Sequence, residues 1–540
     1  MKKRIIALLL ICCMLFTLFG CGKAEDSNSG EGNSAEVVTD PVTGAEIVKI
    51  TTAGSEKASV IYPDGDSLTN NIWIRDYKEK LNIELTYEWV SDEYTTKLNL
   101  AIISKKLPDV FTVSESQLKN LVEADLIWDL SEVFDKYASD TLKDLRNRNE
   151  DVFQTAVFND GLYGIPELHN GEISQVNYVW IRNDWKEELN LADPETMEDV
   201  INISKAFKEN YSDYALCFDR KLAELLDMAP AWQAYPGMWV EGEDGSIVYG
   251  SVQPEMKNAL AAWAEWYQQG IINKDFAIVD SNKVTERAVS GELGVMVWPS
   301  WWGYSPGPNV VKNLGADAIF YPYAIPSATG EEVLAPITFA NTKYTVVSKE
   351  CKHPEAAIKI LDYYEYMLTD AYEDGVPYEE IVAHTENNMM HAVPFRILDT
   401  NKEIEQFRAV SAAVATDDTS GLTDSFHWEV YNASMDWLEL QEADAGLGGY
   451  LQHGAGDEAA YGIASKKMDA GKILKTELWG SAPDELSNYG STLDDLLREG
   501  FTKIIIGEES IDYFDTLVQQ WKIAGGETVT KAVNDMYGNK

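Results

Sequence analysis

The apolar positions along the chain follow two alternating rhythms. Ile83, Leu85, Tyr87 and Trp89 alternate with Glu84, Thr86 and Glu88, the period of two of a half-buried strand. Trp73, Tyr77 and Leu81 precede them at helical spacing, and Tyr94, Leu98, Ala101 and Ile102 restore that spacing afterwards. Residues 59–62, ahead of the turn Pro63-Asp-Gly-Asp66, read as a short strand, and Val110–Val113, opened by Pro108-Asp109, as another. Strand, helix, strand, helix, strand predicts a parallel sheet with crossover helices, half of a doubly wound α/β domain.

Further along, Phe158-Asn-Asp-Gly-Leu-Tyr-Gly-Ile-Pro166 predicts a hairpin and turn, and residues 178–182 a buried strand followed by a helix. Ala231-Trp-Gln-Ala-Tyr-Pro-Gly-Met-Trp239 reads as an aromatic loop, and Leu260, Trp263, Ala264 and Tyr267 as a helix. Residues 343–347 read as a strand, and Pro354 opens a helix through Ala357, Leu361 and Tyr364. The glycine-rich segment 417–456 reads as surface loops. Ile511, Phe514, Leu517, Val518 and Trp521 form a helical stripe stopped by Gly525-Gly526. One run organises the rest: Gly291-Glu-Leu-Gly-Val-Met-Val-Trp-Pro-Ser-Trp-Trp-Gly-Tyr304. Its apolar strand ends abruptly in Trp298, Trp301 and Trp302 on a Pro/Ser/Gly turn, where α/β sheets place ligands. An indole offers a flat apolar face and one N–H donor, which suits a sugar ring and its hydroxyl rim. Any one of these indoles is as readily a core residue; the cluster points to carbohydrate.

The N-terminus changes the picture. Lys2, Lys3 and Arg4 precede an apolar run over residues 5–20, too short for a comfortable membrane span. Leu18-Phe-Gly-Cys21 closes it and resembles the lipobox of bacterial lipoproteins, with Phe19 in place of the usual small residue. The resemblance implies a signal peptide over residues 1–20 and a lipid (palmitate) anchor on Cys21 at the outer face of the cell membrane. Residues 22–36 are mostly Ser, Gly, Asn, Asp and Glu, with nothing to bury, so residues 21–45 read as a tether. The formal charge of −45 argues against nucleic acid, whose phosphates need a basic footprint. A hydrophobic content of 45% is that of a folded chain. Of five cysteines, Cys12 and Cys13 leave with the leader and Cys21 is acylated. Cys217 and Cys351 remain, paired or free, and this is no disulfide or zinc framework.

Several segments in order then resemble the extracellular solute-binding lipoproteins of carbohydrate ABC importers, the oligosaccharide-binding class of Gram-positive bacteria. They are the lipobox, Leu107-Pro-Asp-Val110 with Leu121-Val-Glu-Ala-Asp-Leu-Ile127, and Asp160-Gly-Leu-Tyr-Gly-Ile-Pro166. Trp180-Ile-Arg-Asn-Asp-Trp185, Cys351-Lys-His-Pro-Glu-Ala-Ala357, Ile504-Ile-Ile-Gly507 with Trp521-Lys522, and Asn534-Asp-Met-Tyr537 complete them. The resemblance implies a two-lobe, periplasmic-binding-protein-like α/β fold with a hinge and an interlobe cleft. It places one lobe at residues 46–166 plus 285–345 and the other at 167–284 plus 346–540. It implies a non-enzymatic, monomeric receptor that takes an oligosaccharide and delivers it to ABC permease subunits, without a cofactor. Relatives that bind alginate oligosaccharides carry a calcium loop where this chain has Glu209-Asn-Tyr-Ser-Asp-Tyr-Ala-Leu-Cys217. The alternating carboxylates and central glycine are missing, so no calcium is expected there.

Candidate ligand residues follow the family's loop positions. They are Asn71 and Trp73; Glu167, His169 and Asn170; Trp232, Tyr235 and Trp239; Trp301 and Trp302; and Trp428 and Tyr431. Gly303-Tyr-Ser-Pro-Gly307 has the spacing of a nucleophile elbow, but Pro306 lacks the N–H that an oxyanion hole needs there. The six histidines show no paired-ligand spacing for zinc. The serious rival is a secreted, lipid-anchored glycoside hydrolase, which needs only two carboxylates about 5 to 10 Å apart across a cleft.

Overall fold

The period-two alternation over Ile83–Val90 is a strand in the computed structural model, which describes residues 47–538 apart from 58–59, 169–170, 340–342, 400 and 443–445. The leader, Cys21 and the tether lie outside the described residues, as do His169 and Asn170. The first strand, β1 (Val48–Gly54), buries Ile50, Thr52 and Ala53 and runs parallel to β2 (Ile83–Val90), Val48 opposite Ile83. The helix Ile72–Leu81 joins them, capped by the Asn71 side chain, which accepts from the Ile74 N–H. Residues 60–62 form no strand: the turn at Pro63 follows β1 too closely for another. β3 (Val110–Val113) is tied to β1 through a side chain, since the Asp109 carboxylate accepts from the Thr51 N–H at 2.8 Å and from its hydroxyl.

The hairpin of β4 (Val157–Phe158) and β5 (Gly161–Leu162) turns on Asn159 and Asp160, both at positive φ, as a two-residue turn requires. After β6 (Ile165–Pro166) the chain leaves this sheet. It returns at Tyr344–Val347, antiparallel between β3 and β6, with Tyr344 opposite both Val113 and Pro166. The helix Glu355–Leu368 follows and packs into the same core, with Trp73, Phe111, Phe134 and Tyr364.

The second core is built on β7 (Asn177–Arg182), whose residues 178–182 are all buried. After the hairpin of β8 (Trp239–Glu241) and β9 (Ile247–Tyr249), β10 (Val295–Pro299) and β11 (Phe320–Ala324) flank β7 as antiparallel neighbours. Alternation then sends side chains to opposite faces. Val179, Ile181, Val295 and Val297 face one cluster, with Trp185, Trp263 and the C-terminal helices Asp484–Ile506, Tyr513–Trp521 and Glu527–Tyr537. Tyr178, Trp180, Met296 and Phe320 face another, with Trp302 and Trp437. β12 (Ala335–Ile337) leads through β13 (Tyr344–Val347) into the first core and pairs in parallel with β14 (Ile473–Lys475).

The architecture is α/β with two lobes, but the cores divide the chain differently from the expected boundaries. The expected boundaries put residues 285–345 in the first lobe, yet β10 and β11 are hydrogen-bonded to β7. The segment after 346 was assigned to the second, yet Glu355–Leu368 fills the first. Antiparallel pairing with β7 decides the one and a helix buried on more than one face the other. Residues 417–456 are also no loop: Ser425–Leu440 is a helix that buries His427, Val430, Ser434 and Trp437. Cys217 and Cys351 are free and buried.

Where the chain crosses between the cores, a pocket of about 160 Å³ is lined by Glu365, Asp399, Lys402, Glu403 and Asp424 among others. Glu365 is buried there, accepts from the Thr369 hydroxyl at 3.0 Å, and burial pushes its carboxyl up to about 7. An acid with a raised folded pKa favours folding while protonated, and that contribution is lost as pH rises from its unfolded value toward about 7. Glu365→Gln is therefore expected to be more stable than the parent at alkaline pH, by roughly 2 kcal/mol, with the gap closing near pH 4. Denaturant midpoints across this range check it, and a pH-independent gap would contradict it.

Candidate functional site

Trp302 occupies the core of the second lobe. It is 0% exposed, stacks on Trp180 with ring centres 5.4 Å apart, and packs on Phe320. Its Nε1–H donates to the Met296 sulfur at 3.0 Å, and Trp180 Nε1–H donates to the Trp298 carbonyl at 2.9 Å. These two bonds fix the tight helical turn Ser300–Gly303 at the end of β10. With Trp302 pinned inward, its neighbour Trp301 is turned out and 43% exposed, its ring edge-on to Trp298 at 5.1 Å. Tyr304 follows at 50% exposure and lies against Gly448, where any Cβ would stand 2.4 Å from its ring. Burial nonetheless holds its phenol well above the ordinary range, with the Glu429 carboxylate adding to the effect. Trp298 Nε1–H has no partner among the described residues.

Trp428 and Tyr431 are half-buried on the helix Ser425–Leu440, edge-on to each other at 6.0 Å. The turn residues Trp298, Trp301 and Tyr304 form an aromatic platform, and Glu429 beside Tyr304 supplies an acceptor for hydroxyls.

The first lobe presents a different chemistry. The chain beyond the carboxyl ends of β1, β3 and β6, and the residue before β13, come together at one end of two neighbouring sheets. Register places Glu167 beside Lys343: its N–H donates to the Lys343 carbonyl at 2.8 Å. A pocket of about 270 Å³ opens here, lined by Ser55, Lys57, Tyr87, Thr112, Ser114 and Lys343 among others. The Glu167 carboxylate pairs with the Arg396 guanidinium, which also meets His391 Nδ1. A second pocket, of about 450 Å³, brings Glu115 of the first core against Trp239, Tyr249 and Trp521 of the second.

Of the predicted residues, Trp301, Glu167, Trp428 and Tyr431 are at least partly accessible, and Tyr235 is half-buried. Trp239 is buried against Tyr249 and shows only an edge to the larger pocket. Four of the others, Asn71, Trp73, Trp232 and Trp302, are buried. Trp73 is 0% exposed in the first core, its Nε1–H donating to the Met389 carbonyl. Asn71 is buried and spends its amide on the carbonyls of Ser67, Leu68 and Ala392 besides capping. Trp232 is wedged between Trp263 and Trp266, and Trp302 lies under the sheet. The three indoles found more area to bury in a core than at a surface, whereas Asn71 is held by its hydrogen bonds. Sequence reasoning missed Lys57, Tyr304, Lys343 and Arg396. The signal that finds Lys57 and Lys343 is their position just beyond or before a strand at the ligand edge of the sheet.

Comparison with known proteins gives a coherent picture. The profile of bacterial extracellular solute-binding proteins matches residues 63–373. Lipoprotein LipO of Bacillus subtilis is 23% identical over 99% of this chain and 98% of its own length. The polygalacturonan/rhamnogalacturonan-binding protein YtcQ of the same bacterium is 23% identical over 55% of this chain and 57% of its own. Among solved structures, an HMO-binding, ABC-transporter-associated solute-binding protein of Bifidobacterium longum infantis superposes with a TM-score of 0.64. It covers 91% of this chain and 98% of its own, at 14% identity, which is a likeness of fold.

The opposite fates of two adjacent indoles are directly testable. Trp302→Ala is expected to cost about 3 to 5 kcal/mol by opening a cavity under the sheet. Trp301→Ala is expected to cost less than about 1 kcal/mol. Chemical denaturation of both variants checks the difference, and equal losses would contradict the assignment.

Proposed function

Because the chain belongs to the bacterial extracellular solute-binding proteins, we propose that it captures an oligosaccharide between two lobes and delivers it unchanged to an ABC permease. The observation that carries this reading is the accessible aromatic cluster of Trp298, Trp301 and Tyr304 at the end of β10. Stacking on apolar sugar faces is what such a platform offers a ligand that lacks a large apolar surface of its own. Relatives named for polygalacturonan and HMO binding support the class of ligand. We assign one lobe to residues 47–168 plus 343–399 and the other to 171–338 plus 401–538, following the two sets of cores. Contacts from both lobes to one ligand stabilise the closed form over the open one, and that difference is what a permease reads.

The lipobox at Leu18–Cys21 supports anchoring through Cys21 at the outer face of the membrane. Cys21→Ser is expected to shift the protein from the membrane fraction to the medium; unchanged membrane retention would contradict lipid anchoring. Hydrolysis has less support. Glu224 and Asp227, both pushed up to about 7 by burial, are the most perturbed carboxyl pair outside the seam. They stand three residues apart on one short helix, Ala223–Met228, and so approach a ligand from one side, whereas glycoside cleavage needs carboxylates flanking the bond.

Calorimetry of the detergent-solubilised chain against an oligosaccharide panel, with product analysis afterwards, tests the reading. A binding heat without cleavage is expected, and the Trp301→Ala/Tyr304→Ala double variant should bind roughly 10- to 100-fold more weakly while melting as the parent does. Released shorter sugars, or undiminished binding by the double variant, would overturn it.

A further inference from the structure

The protein carries a formal charge of −45, yet the ligand edge of its first lobe gathers cations. Lys57 follows β1, Lys343 immediately precedes β13, and Arg396 stands beside Glu167 after β6. The charges of Lys343, Arg396 and Glu167 all reach the Lys57 ammonium. Glu167 is the one anion among them, and its carboxylate is already held by the Arg396 guanidinium. Lys57 forms no ion pair with any described carboxylate. Burial, and after it the charge of Lys343, lower its pKa in spite of Glu167. An ammonium kept in a pocket beside another lysine is costly unless something negative joins it. A strongly acidic surface makes that local inversion of sign more telling, since general solubility is served by the opposite charge.

The pocket between Lys57 and Lys343 has the rest of what a charged sugar needs. Thr112 and Ser114 contribute polar groups to its wall. Tyr87 and Tyr94 contribute apolar ring surface, and the buried Tyr87 hydroxyl has no partner among the described residues. Its volume of about 270 Å³ holds a single sugar unit and not a chain.

Resting on the reading that the protein binds an oligosaccharide, we propose that Lys57 and Lys343 receive a sugar carboxylate, so that the ligand is an acidic, uronate-containing oligosaccharide. Lysines act here as point charges, which accept a carboxylate without demanding one fixed bidentate geometry.

The test is calorimetry of the detergent-solubilised full chain with trigalacturonate, with the same trisaccharide reduced at its carboxyl groups, and with inorganic phosphate. The uronide is expected to bind at least about tenfold more tightly than its reduced form. That preference should shrink as NaCl rises from about 50 mM to about 500 mM. Lys57→Met and Lys343→Gln, each verified to melt as the parent does, should each erase most of the preference while leaving affinity for the reduced sugar in place. Equal affinity for the two sugars, unaffected by either variant, would overturn the charge assignment and leave the oligosaccharide reading standing. Phosphate binding as tight as the uronide would assign the pocket to a free anion and overturn it too. If neither these sugars nor any other oligosaccharide binds, the proposed function fails and the inference with it. The wild-type comparison decides the matter even if a variant does not fold.

Discussion

The stack of Trp302 on Trp180 is the contact on which the second lobe's chemistry depends. It buries two indoles on one face of β7 and β10, and the Trp180 N–H grips the carbonyl that opens the turn. A turn of about three residues then has no freedom to hide the next side chain. Trp301 must emerge beside the buried ring, and Tyr304 must follow along the glycine backbone at Gly448. The platform is thus a consequence of core packing one residue away. On the proposed function, its rigidity spares the part of the binding energy that ordering flexible side chains would cost.

On the lobe boundaries proposed above, the chain passes between the lobes three times. The seam mixes charged and apolar groups: Leu368, Ile397, Leu398 and Phe426 line the same pocket, and Phe426 packs against the first core. Glu365, Asp399, Glu403 and Asp424 gather there with Lys402, and Arg148 pairs with Asp399. Polar contacts also cross between the lobes: Trp479 Nε1–H donates to Asp151, and Lys119 pairs with Asp484 at 3.0 Å across exposed ground. Exposed pairs of this kind contribute little. Each lobe keeps its own large apolar core, so relative movement of the lobes disturbs the seam and not the cores.

Much of this was legible in the chain. The alternation over Ile83–Val90, the Asn-Asp turn at 159–160 and the unbroken apolar run of β7 and β10 each have one stable reading. β1 was not legible, because Thr52 and Ala53 are small and carry its buried face weakly. The helix Ser425–Leu440 was hidden by glycines on both sides, although Val430, Ser434 and Trp437 fall at helical spacing. Which indole is buried was not legible either. Trp301 and Trp302 are identical in type and adjacent, and only the partner Trp180, over a hundred residues away, decides between them. Lys57 was overlooked for a similar reason: its meaning comes from Lys343 and Glu167, which the return of the chain through β13 brings beside it.

The claim that ties these features together is that one ligand touches both lobes at once. Hydrogen–deuterium exchange of the protein with and without a saturating oligosaccharide measures this directly. The account predicts slowed exchange, in the same experiment, around Ser55–Lys57 and Glu167 of the first lobe and Trp298–Tyr304 of the second. Protection confined to one lobe, or absent from both edges while binding is saturated, would contradict it.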